Sequence, residues 1–138
     1  MPDSADLPRP SRRSLGRAER LTRSGLFAEA YRQERRRAGR CMVVWLRHGD
    51  GAALRLGVVA SRRVGGAVER NRARRRLREV YRRHRHRLQG DADVVLVARR
   101  GAVTASFAGL EEEMLDLLRR LGIRVAEEAA GRGGGGTP

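Results

Sequence analysis

The chain has 138 residues and a formal net charge of +15, and every basic side chain apart from three histidines is an arginine. A chain of this length forms one domain and leaves no room for two sizeable cores. Charge of this size favours a polyanionic partner, either nucleic acid or an anionic membrane surface. Codon bias is enough to explain the missing lysines, so the functional argument rests on where the arginines lie.

Several classes of protein are excluded early. The longest apolar stretches, such as residues 94–98, are too short to cross a bilayer, and no apolar segment follows the first arginines as in a secretory signal. A single cysteine, Cys41, rules out an intrachain disulfide, suits a reducing compartment and is interpreted as a small core residue. His84 and His86 lie two apart in a helical segment and do not share a face, so no metal site is expected.

The predicted domain spans residues 20–122, between a flexible basic arm at residues 1–19 and a disordered Gly-rich tail at residues 123–138. Its predicted elements are, in chain order, a helix from Ser24 to about Gln33, strands at Cys41–Arg47 and Leu54–Ala60, a helix from about Ala67 to Leu88, a strand at Asp93–Ala98, and a helix capped by Thr104 or Ser106 and ended by Gly122. The turn at residues 49–51 predicts a hairpin between the first two strands. This order predicts an α+β fold in which a sheet packs against helices, with a parallel crossover through the long helix.

Side-chain periodicity assigns faces to these elements. Alternation places Trp45 on the less apolar face of the first strand, and Phe27 and Tyr31 share one face of the first helix. The predicted core positions of the first two strands and of the last helix are Met42, Val44, Leu46, Leu54, Leu56, Val58, Ala60, Phe107, Leu110, Met114, Leu117, Leu118 and Leu121. Half-exposed aromatics can stack on single-stranded bases, although simple core packing explains the three rings as well.

The long helix separates into two faces at about 100° per residue. Its core stripe is Ala73, Leu77, Val80, Tyr81, His84 and Leu88. The opposite stripe is Asn71, Arg75, Arg78 and Arg82, flanked by Arg74 and Arg85 on one side and by Arg72 and Glu79 on the other. A solvated charged face is the alternative, but residues 61–87 hold twelve arginines and only two acids, whereas a merely soluble face mixes signs. The narrow apolar stripe belongs to a core and argues against a membrane surface.

Two features near the start of this helix sharpen the prediction. Asn71 can bond a sugar hydroxyl or a base edge in a way that an all-donor guanidinium cannot. The Ser61–Gly66 loop is expected to bring backbone N–H groups and a helix N-terminus together as a second phosphate site. The arginine-rich segment is therefore predicted to bind RNA.

The stretch from Arg55 to Glu79 resembles the signature of the bacterial ribonuclease P protein component. That family carries Arg-Asn-Arg and further basic residues on one helix, and the pattern appears here as Arg70-Asn71-Arg72 followed by Arg74, Arg75 and Arg78. The resemblance covers residues from about 20 to 122. It implies a fold like the second domain of ribosomal protein S5, with a four-stranded mixed sheet and a left-handed β-α-β crossover that departs from the usual preference. The fourth strand has no secure position in the sequence.

The resemblance also implies a function. The RNA subunit would remove the 5′ leader from precursor tRNA, using Mg²⁺ held mainly by that RNA, in the cytoplasm and with no obligate protein partner. The residues implied to bind the catalytic RNA are Arg62, Arg63, Arg70, Asn71, Arg72, Arg74, Arg75, Arg78 and Arg82. Phe27, Tyr31 and Trp45 match the aromatics of the cleft that holds the single-stranded leader.

Two other functions remain open at this point: a structural ribosomal protein with an S5-like domain, and a basic DNA-compacting protein. Neither needs an aromatic cleft. No catalytic residue is expected within the chain, because it offers no nucleophile–base pair and no carboxylate cluster suited to two metals. Glu111, Glu112 and Glu113 lie in the first turns of the last helix and are interpreted as structural.

Overall fold

The computed structural model describes Arg20 and residues 24–127. Its helices are α1 (Ser24–Gln33), α2 (Ala67–His84), the short α3 (Gly101–Thr104) and α4 (Phe107–Arg120). Its strands are β1 (Arg35–Ala38), β2 (Met42–His48), β3 (Leu56–Val59), β4 (Leu88–Gln89), β5 (Ala92–Ala98) and β6 (Arg124–Val125). None of the helices in this part of the chain is long and apolar enough to cross a membrane.

A four-stranded mixed sheet in the order β1-β2-β5-β3 forms the centre of the fold. β5 runs antiparallel to β2 and parallel to β3, and α2 makes the predicted crossover between the two parallel strands. The predicted α+β architecture is confirmed, but the predicted hairpin is wrong because β5 lies between β2 and β3. β5 is buried on both of its faces, so it takes the central position, where elements cover the sheet on each side.

The fourth strand is β1, which the sequence did not reveal. All four of its residues are exposed, and three of them are arginines, so it carries no apolar alternation. It forms an edge of the sheet and pairs only with β2, with Arg36 opposite Trp45. Backbone pairing with β2 therefore determines this strand, and its side-chain pattern does not.

The core lies between one face of the sheet and helices α2 and α4. The α2 stripe is confirmed, since Ala73, Leu77, Val80 and Tyr81 have no exposed surface. The alternation of β2 and β3 is confirmed as well, because their predicted core residues all contact this cluster. The long helix ends at His84, four residues earlier than predicted, and Leu88 opens β4.

The domain extends further towards the C-terminus than residue 122. Gly122 ends α4 at φ 98°, as predicted, but Ile123 is 4% exposed and packs in the core. Residues 124 and 125 form β6, which pairs with β4. The predicted boundary between domain and tail was therefore wrong by about four residues, while the predictions for residues 1–19 and 128–138 lie outside the described residues.

A carboxylate of the last helix anchors the start of β2. Glu113 Oε2 accepts hydrogen bonds from the N–H groups of Cys41 at 2.8 Å and Met42 at 3.0 Å. A Cβ at Gly39 would lie 2.3 Å from that oxygen, so any larger residue there would displace the Glu113 carboxylate from these two N–H groups. The predictions of a structural Glu113 and a buried Cys41 are both confirmed.

Candidate RNA interface

The arginine face of α2 varies in exposure along its length. Asn71, Arg72 and Arg75 are exposed near the N-terminal end of the helix, whereas Arg78 and Arg82 are half-buried. The Arg74 guanidinium donates to the Asn71 side-chain oxygen, which fixes the amide within the basic surface. The first two turns of α2 are therefore the most open part of the predicted stripe.

The C-terminal part of the stripe is partly neutralised. Glu79 accepts hydrogen bonds from Arg82 and, at 3.0 Å, from Arg83. The bond from Arg82 lowers the pKa of Glu79 despite its partial burial, and the bond to Glu79 raises the pKa of Arg82. Arg82 therefore presents less uncompensated charge to a polyanion than Arg75 does.

The loop before α2 is held by its own hydrogen bonds. The N–H of Arg63 donates to Ser61 Oγ, and the N–H of Gly66 donates to Glu69 Oε1 at 3.0 Å. The N–H groups of Val64 and Gly65 donate to carbonyls of the same loop. These four N–H groups are therefore not available to a phosphate, and the predicted backbone phosphate site stays a prediction only for the N–H groups in the first turn of α2. What the loop offers are the exposed side chains of Arg62 and Arg63.

One arginine of the segment, Arg76, has a structural role. Arg76 donates to the carbonyls of Ala102, Val103 and Ala105 at 2.9, 3.0 and 2.5 Å, and so fastens α3 to α2. Arg76 lies about 60° from Ala73 on the helical wheel, at the edge of the core stripe. That position was the signal that could have separated it from the RNA-facing arginines.

A second, smaller apolar cluster lies on the opposite face of the sheet, beneath α1. Ala30 and Val95 are fully buried there, and Phe27 and Trp45 pack against them while remaining partly exposed. Tyr31 is 36% exposed and meets Trp45 edge-on, with ring centroids 4.9 Å apart at 76°. Partial burial raises the pKa of the Tyr31 hydroxyl. The three predicted cleft aromatics thus lie on one face, and each packs without being fully enclosed.

An open groove of about 620 Å³ continues from this face towards β1. Tyr31 and Trp45 form its aromatic side, and the remaining lining residues are Glu34, Arg36, Arg37 and Ala38. The Arg36 guanidinium carbon lies 5.3 Å from the centre of the Trp45 ring, within cation–π range. Sequence reasoning missed these basic residues because they belong to the strand that it did not predict.

The histidines take no part in a metal-binding cluster. His84 Nε2 lies 3.0 Å from Glu111 Oε2, and its Nδ1 lies 2.8 Å from Arg87, so the ring joins α2 to α4. His86 is exposed. Over Arg20 and residues 24–127, no three His, Cys, Asp or Glu side chains group closely enough to hold a metal ion.

Comparison with known proteins identifies the relatives of this chain. Residues 15–122 match the family model described as Ribonuclease P. The ribonuclease P protein component of Desulfovibrio desulfuricans is 40% identical over 120 residues, covering 84% of this chain and 92% of the relative. That of a Nocardioides species is 40% identical over 114 residues, covering 80% of this chain and 97% of the relative. The solved RNase P protein of Thermotoga maritima superposes with a TM-score of 0.65 at 28% identity, covering 74% of this chain and 96% of that one.

Proposed function

This chain belongs to the ribonuclease P protein family, and from that premise we propose that it assists an RNA catalyst by holding RNA on two separate faces. Membership makes it an RNA-binding subunit of a tRNA-processing ribonucleoprotein. The structural ribosomal protein considered as an alternative is not favoured, because the matched family and the relatives are ribonuclease P proteins.

One proposed face is the exposed start of α2, which would bind the catalytic RNA. Arg72 and Arg75 are exposed there, beside an Asn71 amide held in place by Arg74. Guanidinium groups can bond phosphate oxygens in a bidentate manner, and the amide adds an acceptor that they lack. Hydrolysis of the phosphodiester would use Mg²⁺ bound mainly by the RNA, where the ion would supply charge neutralisation. The described residues of this chain offer it no cluster of ligands.

The other proposed face is the aromatic surface under α1, which would bind the single-stranded leader of precursor tRNA. Phe27, Tyr31 and Trp45 lie together on it with rings partly open to solvent. Stacking on such rings contributes about 1–3 kcal/mol per base and tolerates any sequence. The observation that carries the proposal is that these rings and the arginine face of α2 belong to elements on opposite sides of the sheet.

We also propose precursor tRNA as the substrate and the cytoplasm as the location, with no obligate protein partner. These points rest on family membership and on the polyanion-binding character of the chain.

The test compares substrates with and without a leader. The protein is mixed with its cognate RNA and precursor tRNA at low Mg²⁺, and 5′ leader removal is measured with and without the protein.

The double variant Phe27→Ala/Tyr31→Ala is expected to weaken binding of precursor tRNA by about fivefold or more while leaving binding of mature tRNA unchanged. Leader removal that is indifferent to the protein would contradict the subunit function. Equal losses for both tRNAs, or unfolding of the variant, would show that the rings serve only the core.

A further inference from the structure

The edge strand β1 places a guanidinium on the aromatic surface. Arg36 is the direct cross-strand partner of Trp45, and side chains of such a pair point to the same face of a sheet. The guanidinium carbon lies 5.3 Å from the indole centre, and Tyr31 packs against the same indole in a T-shaped arrangement with ring centroids 4.9 Å apart. The exposed surface of the Trp45 ring therefore partly contacts the Arg36 guanidinium and partly lines the open groove.

A base that stacks fully on Trp45 must compete with Arg36 for the indole face. The displaced guanidinium would remain tethered to β1 beside the base, within the same groove. A guanidinium in that place can bond the phosphate of the stacked nucleotide, because it has donors in one plane and no carbonyl or carboxylate holds it among the described residues. The groove volume, about 620 Å³, lies within the range of small-ligand sites, about 300–1,000 Å³.

The charges of the groove suit a single phosphodiester. Arg36 and Arg37 contribute two positive charges and Glu34 one negative charge, which leaves one net positive charge along the lining. Glu34 disfavours a phosphate close to its own side of the groove, and its carboxylate can accept an N–H from a base edge. A nucleotide would therefore bind with its phosphate towards β1 and its base between Trp45 and Glu34.

We propose that Arg36 and Trp45 form a composite site for one nucleotide of single-stranded RNA, in which Arg36 covers the indole when the site is empty and moves to the phosphate when a base stacks. The proposal rests on the proposed function, since the occupant is the leader of precursor tRNA. It extends that function by making Arg36 a positioning residue, and it gives β1 a role in substrate binding.

Trp45 reports directly on this site because it is the only tryptophan in the chain. The full chain is titrated with a short single-stranded oligoribonucleotide, and with a duplex of the same composition as a control, while tryptophan emission is followed. Quenching by the single strand but not by the duplex is expected. Equal responses, or no response at saturating oligonucleotide, would overturn the proposal.

Variants then test Arg36 in the reconstituted holoenzyme. Arg36→Ala is expected to weaken binding of precursor tRNA about tenfold. The slope of log K against log[salt] should become shallower by about 0.7, the value for one lost phosphate contact to single-stranded RNA. Arg36→Lys keeps the charge but loses the planar stack, so it should retain the salt slope and lose less affinity. Arg119→Ala, an exposed arginine of α4, removes the same charge and should leave both quantities unchanged.

The outcomes separate this proposal from the proposed function. If Arg36→Ala matches Arg119→Ala while Phe27→Ala still weakens binding of leader-bearing substrate alone, the composite site is wrong and the leader face stands. If Arg36→Ala weakens precursor and mature tRNA equally, Arg36 contributes only general charge and the site is again wrong. If the wild-type protein does not affect leader removal at all, the proposed function itself fails, whatever the oligonucleotide titration shows.

Discussion

At the scale of single residues, Asp93 shows how this basic chain uses its few acids. Its carboxylate has no exposed surface and accepts hydrogen bonds from Arg47 at 2.8 Å, from Arg55 and from the N–H of Ala53. Burial raises the pKa of Asp93, but the bonds from Arg55, Ala53 and Arg47 outweigh burial and hold the pKa below its ordinary value. Arg47, itself 3% exposed, also bonds Glu29 of α1 at 2.7 Å, so the network connects the sheet to the helix that carries the aromatics.

The variant Asp93→Asn should destabilise the fold by up to about 3–5 kcal/mol at neutral pH, because it removes one of the two carboxylates that balance the buried Arg47 charge. The lowered pKa means that the carboxylate stabilises the native state fully above the unfolded pKa, near 4, and loses this contribution as the pH falls through the folded value. The difference in unfolding free energy between wild type and variant should therefore shrink below about pH 4. Urea unfolding at a series of pH values measures it.

The control for this prediction is Asp116→Asn. Asp116 forms an exposed ion pair with Arg120 on α4, with more than half of each side chain in solvent. Such pairs contribute little, so the change should stay within about 0.5 kcal/mol at every pH. A difference for Asp93→Asn that is as small as this, or that does not depend on pH, would contradict the assigned role of the buried network.

At the scale of elements, the faces of the helices could be predicted because their apolar periodicity lies within one continuous segment. The helical wheel of α2 predicted the buried stripe from Ala73 to Tyr81, because the helical period alone determines which side chains share a face. Strands β2, β3 and β5 were found, the first two with correct faces, but their order in the sheet was not, because pairing depends on contacts remote in sequence. The turn at residues 49–51 indicated a hairpin, and only the double-sided burial of β5 explains why that strand separates β2 from β3.

Two adjacent arginines of α2 allow a direct test of its faces. Arg75→Ala should weaken binding of the catalytic RNA and make the slope of log K against log[salt] shallower by about 0.7–0.9. It should not change the unfolding free energy, because Arg75 is exposed. Arg76→Ala should lower the unfolding free energy by about 1–3 kcal/mol, because it leaves carbonyls of the α3 region without their donor. Filter binding against salt and thermal unfolding measure the two effects. Identical behaviour of the two variants would contradict the division of α2 into an RNA face and a packing face.

At the scale of the whole molecule, only part of the candidate site could be predicted from the sequence. The arginine stripe and the aromatics Phe27, Tyr31 and Trp45 were named from residue type and spacing together with the family resemblance. The groove between them and β1 could not be named, because Arg36 reaches Trp45 only through the sheet register. A site formed by one local pattern is predictable, whereas one formed across two strands needs the fold.

The true end of the domain gives the last prediction. Ile123 is buried, residues 124 and 125 pair with β4, and Arg87 donates to the Ala126 carbonyl at 2.8 Å. Truncation after Gly122 should therefore lower the unfolding free energy by about 2–4 kcal/mol, mainly through the lost burial of Ile123. Truncation after Glu127 removes residues 128–138, whose sequence is rich in glycine and has no large apolar side chain, and should leave the thermal midpoint unchanged. Equal midpoints for the two truncations would place the end of the folded unit at Gly122, as the sequence alone had predicted, and would remove β6 from the stabilising structure.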